Sequence, residues 1–311
     1  MDRFHYFDCH ADTLTNMKEG QGTLGENRCN VDLKRVSGFA ERYTQIFAIW
    51  KDYQEMGREP EENFRRLYDR AVSLLQAEAD RLTWCRSGEE MELAHKAGKA
   101  AAFLSIEDLS IMGNLAEQIR DFGIRFAMLT WNYENQYACG SPTDQSKGLT
   151  EQGRNTVRML LEQNIVLDIS HLSDAGAEEI FSMTDRPVMA SHSNVRAVCD
   201  QPRNLRKEQI RELIRRKGLI GMNLFSEFVG EKPEITDVLR HMDVILEMGG
   251  EDVLAFGGDL DGSSDRFPKG FYGVESIPLI REAMEREGFG RVLTDKIFFE
   301  NARAFTLKNV R

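Results

Sequence analysis

The sequence predicts a (β/α)8 barrel of the TIM type. Eight short runs rich in β-branched and aromatic residues alternate with longer amphipathic segments, which is typical of a parallel sheet covered by helices. Eight such units in a chain of 311 residues fit a closed barrel better than an open doubly wound sheet. No GxGxxG fingerprint follows the first run, which disfavours a dinucleotide-binding sheet. We therefore expect a single barrel domain over 1–311.

The predicted strands follow one another at intervals that leave room for a helix. They are RFHYFD (3–8), YTQIFAIW (43–50), AAAFLSIE (100–107), IRFAMLTW (124–131), IVLDISH (165–171), PVMASH (187–192), LIGMNLF (219–225) and VLAFGGD (253–259). Amphipathic patterns predict helices at 61–82, 89–98, 113–122, 151–163, 174–182, 205–217 and 235–248. The longest connections, 51–60, 132–150 and 260–275, all follow strands, so they should rim the C-terminal mouth of the barrel.

Charge and cysteine content narrow the class of protein. A formal net charge of -11 has the wrong sign for binding nucleic acid or an acidic membrane surface. Because no secretory or membrane-spanning segment is recognisable, we expect a cytoplasmic protein. Five scattered cysteines without a CxxC pair are typical of reduced thiols. Composition leaves the oligomeric state open, with a homodimer as one option.

Several predicted strands end on residues that can bind a metal ion or carry a proton. These residues are His10, Asp12, Glu107, His171, His192 and Asp259. An imidazole and a carboxylate two residues apart can bind one divalent ion, and a further carboxylate can bridge two ions. Burying this set around one mouth without a cation would leave carboxylates desolvated and repelling one another. The set therefore predicts a metal-dependent hydrolase, whereas His95 and His241 fall in helical segments and are expected to be structural.

Strand alternation predicts which residues share the barrel interior with these candidates, because successive side chains point to opposite faces. Because residues two apart share a face, Asp8 should point into the barrel one rung below His10. We expect a structural hydrogen-bonding role for it. Cys9 should then face the helix layer. The same spacing places Leu167 inward below His171.

Six motifs occur in order between residues 7 and 262: FDCHADT (7–13), LSIEDL (104–109), LDISHLS (167–173), ASHSN (190–194), QPRNL (201–205) and FGGDLDG (256–262). Together they resemble the successive motifs of the membrane (renal) dipeptidase family, zinc peptidases of the amidohydrolase type. The resemblance implies a (β/α)8 barrel with two zinc ions. In that arrangement His10 and Asp12 bind one ion, His171 and His192 bind the other, and Glu107 bridges them.

The resemblance also implies how a dipeptide substrate is handled. Arg203 of the QPRNL motif would grip the α-carboxylate, and Asp259 would handle the proton while a hydroxide that bridges the two zinc ions attacks the amide. Independently of the family, the planar guanidinium fork suits a carboxylate. Asp261 has the same parity as Asp259 but falls in the loop, so it ranks second for the catalytic role.

Two positions depart from the family pattern. Trp131 stands where the family commonly has the histidine of an LTH motif, and Phe225 stands where relatives carry a tyrosine. Both side chains are expected to contact substrate. An indole donates one hydrogen bond and can neither ligate a metal nor carry a proton, so substrate polarisation and preference should differ here. Plain packing at the top of the barrel is the alternative for Trp131.

The sequence thus predicts a binuclear zinc dipeptidase. Two alternatives remain open at this level. One is a related amidohydrolase that acts on N-acyl amino acids. The other is a catalytically weak, metal-dependent peptide-binding protein, because Trp131 replaces a polar group of the catalytic site.

Overall fold

The computed structural model describes residues 3–57 and 59–311, and it confirms the predicted barrel. The strands in these residues are β1 Phe4–Ala11, β2 Ala40–Trp50, β3 Leu82–Trp84, β4 Ala100–Glu107, β5 Ile124–Met128, β6 Val166–Asp168, β7 Met189–Ala190, β8 Leu219–Met222 and β9 Leu254–Phe256. Eight of them pair in parallel in the order β1-β2-β4-β5-β6-β7-β8-β9, and β9 pairs with β1 to close the ring. The short strand β3 pairs only with the start of β4 and stays outside the ring.

Helices surround the ring. They are α1 Thr13–Asn16, α2 Leu33–Ser37, α3 Pro60–Ala77, α4 Gly88–Lys96, α5 Glu151–Glu162, α6 Asp174–Met183, α7 Lys207–Arg215, α8 Ser226–Val229, α9 Ile235–Glu247, α10 Ile277–Arg286, α11 Arg291–Asp295 and α12 Asn301–Asn309. A π-helical turn, Lys296–Glu300, joins α11 to α12. Shorter 3-10 segments lie at Tyr53–Glu55, Leu109–Gln118 and Val274–Ser276.

Two predicted helices need correction. The helix predicted at 61–82 ends at Ala77, and its last residue instead begins β3. The segment predicted as a helix at 113–122 is a 3-10 segment over Leu109–Gln118. Its regularity is interrupted at Gly113, where φ is 53°, a left-handed conformation that glycine adopts without steric cost. Position 58 of the predicted 51–60 connection lies outside the described residues.

Side-chain caps fix the points at which helices begin behind the mouth of the barrel. The Thr150 hydroxyl accepts from Gly153 N at the start of α5, and the Ser173 hydroxyl accepts from Gly176 N at the start of α6. Such caps satisfy amide groups that have no partner inside the helix. The α6 cap lies two residues after His171, so it helps to fix the loop that carries this histidine.

The barrel interior is defined by one apolar cluster to which all eight ring strands contribute. Its strand members are Phe7, Cys9, Ile46, Ala101, Phe103, Phe126, Val166, Met189, Leu219 and Ala255. Phe299, Phe305 and Val310 from the C-terminal segment join the same cluster, so the segment after α11 closes the N-terminal end of the barrel. A second, larger cluster holds the strand residues of opposite parity together with the helices.

This cluster shows that part of the alternation argument is wrong. Cys9 points into the barrel, not toward the helix layer. Asp8 lies on the opposite face of the regular part of β1, because the second of the two shifts in the pairing with β2 comes only after Asp8. That bulge restores an inward direction at His10. Leu167 also belongs to the outer cluster.

The expected structural roles of several polar groups are confirmed. Asp8 accepts hydrogen bonds from the Tyr6 hydroxyl and from two backbone amides, at 2.6–3.0 Å. His95 Nε2 lies 3.0 Å from the Thr44 hydroxyl, and His241 accepts from Val195 N at 3.1 Å. All five cysteines are free thiols. Among the described residues, no helix combines the length and the apolar character needed to cross a bilayer.

Candidate metal centre

The Glu107 carboxylate lies at the centre of a group of histidines at the C-terminal mouth. Its Oε1 is 2.8 Å from His171 Nε2, and its Oε2 is 3.1 Å from His10 Nε2. The Nε2 atoms of His171 and His192 are 2.9 Å apart, and His192 Nε2 is 3.9 Å from Glu107 Oε1. All four side chains are at least nine-tenths buried. The two carboxylate oxygens therefore face two different sets of ring nitrogens.

Two further carboxylates complete the His10 side of this group. Asp12 Oδ2 lies 3.4 Å from His10 Nε2, and Asp259 Oδ1 lies 4.0 Å from the same nitrogen. Three overlapping triads result, each with ligand atoms within 4.8 Å of one another: His10–Asp12–Glu107, Glu107–His171–His192 and His10–His192–Asp259. The structure thus brings together all six residues that the sequence singled out at strand ends.

Neighbouring polar groups set the orientation of two of the imidazoles. The Asn132 amide oxygen lies 2.9 Å from His171 Nδ1, and the Ser191 hydroxyl lies 2.7 Å from His192 Nδ1. If each Nδ1–H donates to these oxygens, both Nε2 atoms keep a free lone pair directed at Glu107. Such outer partners fix the tautomer and the ring orientation of metal-binding histidines.

The charges of the site favour a bound cation. Burial, followed by the negative charge of Asp12, raises the pKa of Glu107 to about 8. Burial is also the main reason that the pKa of Asp259 is raised and that the pKa values of His171 and His192 lie well below the usual range. Burial opposes protonation of His10, but Glu107 and Asp12 raise its pKa well above the usual range.

Unsatisfied polar atoms provide a direct test of whether metal ions fit this group. Both His10 Nε2 and Asp12 Oδ1 are buried and have no hydrogen-bond partner among the described residues. A divalent cation would satisfy both atoms, because imidazole nitrogens and carboxylate oxygens are ordinary ligands of zinc. The residues present could therefore hold metal ions, with His10 and Asp12 on one side of Glu107 and the other two histidines opposite.

Left-handed backbone at two strand ends turns key side chains into the mouth. The φ angle is 70° at His171 and 56° at Asp259, a region that costs energy for residues other than glycine. The hydrogen bonds around these residues hold them there. Asp168 accepts from Ser170 N at 2.9 Å and from Ser191 N at 3.1 Å, which ties the ends of β6 and β7 together.

Asp259 and Asp261 differ clearly in what they contact. Asn223 Nδ2 donates to Asp259 Oδ2 at 3.1 Å, whereas Asp259 Oδ1 faces His10. Both oxygens of Asp261 are engaged elsewhere, accepting from the Thr13 hydroxyl at 2.5 Å and from Asn30 N at 2.6 Å. Asp261 therefore anchors the loop after β9, and Asp259 presents a carboxylate to the candidate metal centre.

Arg203 is a buried cation without an acidic partner. Only 6% of the residue is exposed, and burial lowers its pKa. Its guanidinium donates weakly to the Ser193 hydroxyl at 3.4 Å and to His192 O at 3.3 Å, and its Nε has no partner among the described residues. Within the described part of the chain, no carboxylate lies within ion-pair distance of it. The guanidinium therefore has donor capacity left over beside Ser193 and His192.

A cavity of about 240 Å³ opens above the candidate metal centre. Asp12, Glu107, His171 and Asp259 contribute to its lining. Both departures from the family pattern also line it: Trp131, whose ring lies 6.1 Å from that of His171, and Phe225.

Sequence reasoning missed three polar residues that organise the site: Asn132, Ser191 and Asn223. Asn223 donates to Asp259 and to His192 O, and its backbone N–H donates to Asn194 Oδ1. Asn132 and Asn223 each lie close after the end of a strand, which is the only signal that could have suggested them. Small polar residues are common in such loops, so that signal is weak.

Solved structures and curated proteins resemble this chain over most of its length. The metallopeptidase dipeptidase AC superposes with a TM-score of 0.87 at 24% identity, covering 99% of both chains. A metallopeptidase from Rhodobacter sphaeroides, solved with a phosphinate mimic of the dipeptide L-Ala-D-Ala, superposes with a TM-score of 0.84 at 24% identity, covering both chains completely. At this level of identity the two likenesses show the fold.

Among curated proteins, a protein from the pqqA 5′ region of Klebsiella pneumoniae is 27% identical over 253 residues, which cover 76% of this chain and 92% of that protein. Dipeptidase aclJ of Aspergillus oryzae is 30% identical over 202 residues, which cover 62% of this chain. The match spans about half (48%) of the length of the fungal protein.

The barrel and its cluster of histidines and carboxylates define the class of a barrel metallohydrolase. The family model of the membrane dipeptidases, peptidase family M19, matches residues 1–306. This chain therefore belongs to the membrane dipeptidase family of metallopeptidases, as the sequence motifs had indicated.

Proposed function

We propose that the chain, acting as one catalytic domain over 1–311, hydrolyses the peptide bond of dipeptides with the help of two zinc ions. The observation that supports this most directly is the placement of Glu107, whose two oxygens face different histidines at 2.8 and 3.1 Å. A carboxylate in this position can bridge two ions. Membership of a metallopeptidase family supports the same reaction.

Each residue of the site has a defined task in this proposal. His10 and Asp12 hold one ion, and His171 and His192 hold the other. When bound, the zinc pair supplies an activated water as nucleophile and polarises the scissile carbonyl. Asp259 accepts the proton released in the attack and delivers it to the leaving amine, because its Oδ1 is the carboxylate oxygen held toward His10 while Asn223 fixes Oδ2.

Arg203 binds the free carboxylate of the substrate in this proposal. A dipeptidase must recognise a terminus within one residue of the scissile bond, and a guanidinium suits that carboxylate. A buried arginine whose Nε has no hydrogen-bond partner, and which makes no ion pair with any described residue, supports this role. Binding of a carboxylate would compensate the desolvated positive charge.

The proposal is tested by measuring turnover and metal content on the same sample. Dipeptides with C-terminal alanine in L and D form should be hydrolysed, elemental analysis should find close to two zinc ions per chain, and a chelator should abolish turnover. Turnover confined to N-acyl amino acids would replace this proposal with the related amidohydrolase. Binding of zinc and dipeptides without any turnover would indicate a binding protein.

The carboxylate role is tested by Arg203→Ala, with Arg211→Ala as the matched control on the exposed face of α7. Deleting one partner of a buried charge pair costs about 2–4 kcal/mol, so KM should rise by roughly 30-fold or more in Arg203→Ala. Amidated dipeptides should suffer a similar loss in the unmodified enzyme. Equal rates for free and amidated dipeptides would exclude the role.

The proposal also covers the cellular compartment and the oligomeric state of the protein. Five free thiols support a reducing compartment, and we propose the cytoplasm. Fractionation of the native cells tests this, because recovery with an extracytoplasmic fraction would contradict it. Light scattering on the purified protein will distinguish a monomer from a homodimer.

A further inference from the structure

Two pairs of aromatic side chains face each other across the cavity above Glu107. The first pair is Trp50 and Trp131, whose rings lie 4.9 Å apart with a tilt of 59°. Trp50 is the last residue of β2, and Trp131 follows the end of β5. Because β2 and β5 are the neighbours of β4 in the ring, this pair, called the tryptophan wall below, flanks the strand that ends on Glu107.

The second pair is Phe225 and Phe228, which form an edge-to-face contact at 4.7 Å and 87°. Both follow β8, and both line the cavity. In the ring of eight strands β8 lies four positions from β4, so this pair, the phenylalanine wall, stands on the opposite side of the mouth. The candidate metal centre lies on the floor between the walls.

The position of Arg203 indicates which side of the cavity receives the C-terminal residue of the substrate. The Arg203 Cζ lies 5.3 Å from the ring centre of Phe228, which places the guanidinium next to the phenylalanine wall, just outside the cavity lining. This step rests on the proposed function, in which Arg203 binds the substrate carboxylate and the scissile bond lies at Glu107. The C-terminal residue then occupies the phenylalanine side, and the N-terminal residue extends toward the opposite wall.

We propose that the tryptophan wall is the pocket for the side chain of the N-terminal residue, and that it selects dipeptides with a large apolar or aromatic residue in that position. Two indole rings in the cavity lining offer apolar surface, and burial of apolar area against them favours large side chains. Offset or edge-on aromatic contacts add to that preference. Trp50 and Trp131 are specificity-determining residues in this arrangement.

The distribution of charged side chains in the cavity lining agrees with this orientation of the substrate. The arginine of the cavity lining, Arg266, lies on the phenylalanine side, 4.5 Å from the ring of Phe225 and paired with Glu227. The acidic lining residues, Asp12, Glu107 and Asp259, belong to the floor. The Tyr133 ring lies 5.4 Å from that of Trp131, and Tyr133 is not among the residues that line the cavity. The tryptophan wall is therefore formed by the two indole rings.

The test compares kcat/KM for Phe-Ala, Leu-Ala, Ala-Ala and Lys-Ala, with Ala-Phe as the mirrored substrate. We expect Phe-Ala and Leu-Ala to exceed Ala-Ala by about tenfold or more, which is what hydrophobic pockets achieve per added group of this size. Trp131→Ala and Trp50→Ala should remove most of this advantage while changing Ala-Ala much less. Trp131→Phe should keep part of it.

A matched control is Trp84→Phe, since Trp84 packs on Arg86 and Tyr68 away from the cavity. It should leave all ratios unchanged. Binding is measured separately as the inhibition constant of the product L-phenylalanine against Ala-Ala hydrolysis, which should weaken in both alanine variants. Thermal unfolding and zinc content of each variant separate a changed pocket from a damaged fold.

The outcomes distinguish this inference from the function on which it rests. Absence of turnover for every dipeptide would overturn the proposed function. Turnover of dipeptides with equal efficiency for all N-terminal residues, with a preference set by the C-terminal residue, or with Lys-Ala as the best substrate would overturn only the pocket assignment. Equal losses of kcat/KM for Ala-Ala and Phe-Ala in Trp131→Ala and Trp50→Ala would also overturn the pocket assignment.

Discussion

At the scale of single residues, the two acids that follow β9 are predicted to have separate functions. Asp259→Asn keeps the shape and the contact with Asn223 but removes the ability to carry a proton. We expect kcat to fall by roughly two to four orders of magnitude, while zinc content remains near that of the unmodified protein.

Asp261→Asn is the matched comparison for this experiment. Its oxygens bind Thr13 and Asn30, so the exchange should lower thermal stability and leave kcat within a few-fold. A kcat that falls for Asp261→Asn and persists for Asp259→Asn would transfer the proton-carrying role to Asp261.

Asn132 is predicted to control metal affinity without contacting a metal ion. Its amide oxygen lies 2.9 Å from His171 Nδ1, and loss of such an outer partner typically weakens metal binding by about 10- to 100-fold. Asn132→Ala should therefore need correspondingly more free zinc for half-maximal activity, with kcat recovered at saturating zinc. The exposed Asn155 of α5 gives a control, Asn155→Ala, that should leave the zinc requirement unchanged.

The side chains that carry formal charge or an imidazole could be predicted from the sequence, whereas their neutral partners could not. His10, Glu107 and His171 are rare residue types at strand ends, so their recurrence is informative. Asn132 and Asn223 are ordinary loop residues, and their roles depend on distances that only the folded chain sets. Trp50 was likewise missed, because an aromatic residue at a strand end is most often a packing residue.

At the scale of elements, strand ends behave less regularly than alternation assumes. The direction of Glu107 follows from alternation, since Phe103 and Ala101 share its face. The directions of His10 and His171 do not, because a bulge precedes the first and a left-handed φ occurs at the second. Hydrogen bonds between neighbouring strands hold both irregularities, and such long-range contacts leave no periodic signal in the sequence.

Close packing of three strand ends around Ser191 leads to a prediction for Gly257. A Cβ at this position would lie 1.6 Å from the Ser191 carbonyl oxygen, so Gly257→Ala must displace the backbone next to His192. We expect a loss of about 1–3 kcal/mol in the free energy of unfolding, as for other overpacked sites, together with reduced zinc content. Urea unfolding and elemental analysis measure the two effects.

Gly290→Ala is the control for zinc content, because an added Cβ there meets no atom within 4 Å and φ is -65°. Retention of both stability and zinc in Gly257→Ala would show that the Ser191 segment can move without disturbing His192.

At the scale of the whole molecule, the barrel was predictable because its repeating unit is encoded eight times. The closure of its N-terminal end was not, since the residues that close it, among them Phe299 and Phe305, come from a C-terminal segment with no partner in the repeat. The polar residues buried at the C-terminal mouth are the opposite case, because they could be recognised in the sequence. There the sequence shows the residues, and the structure shows that three carboxylates and three imidazoles are packed together in overlapping triads, each with ligand atoms within 4.8 Å of one another.

The last prediction concerns the effect of these crowded carboxylates on the stability of the folded molecule. Asp12, Glu107 and Asp259 are gathered in one mouth, and burial together with the charge of Asp12 raises the pKa of Glu107 to about 8. In the proposed function, bound zinc would relieve that repulsion in the folded state. At a hundredfold excess over Kd, one ion adds about 2.7 kcal/mol, which corresponds to about 5 °C in Tm. Calorimetry of chelated and zinc-loaded protein measures this shift.

The same Tm measurement on variants of the proposed metal ligands distinguishes the two halves of the site. His171→Ala removes one half and keeps His10, Asp12 and Glu107, so roughly half of the zinc-dependent rise in Tm should remain. Glu107→Ala weakens both halves, and the rise should nearly vanish. An undiminished rise in Glu107→Ala would mean that the stabilising zinc binds elsewhere on the chain, and the shared carboxylate would then lose its place at the centre of the site.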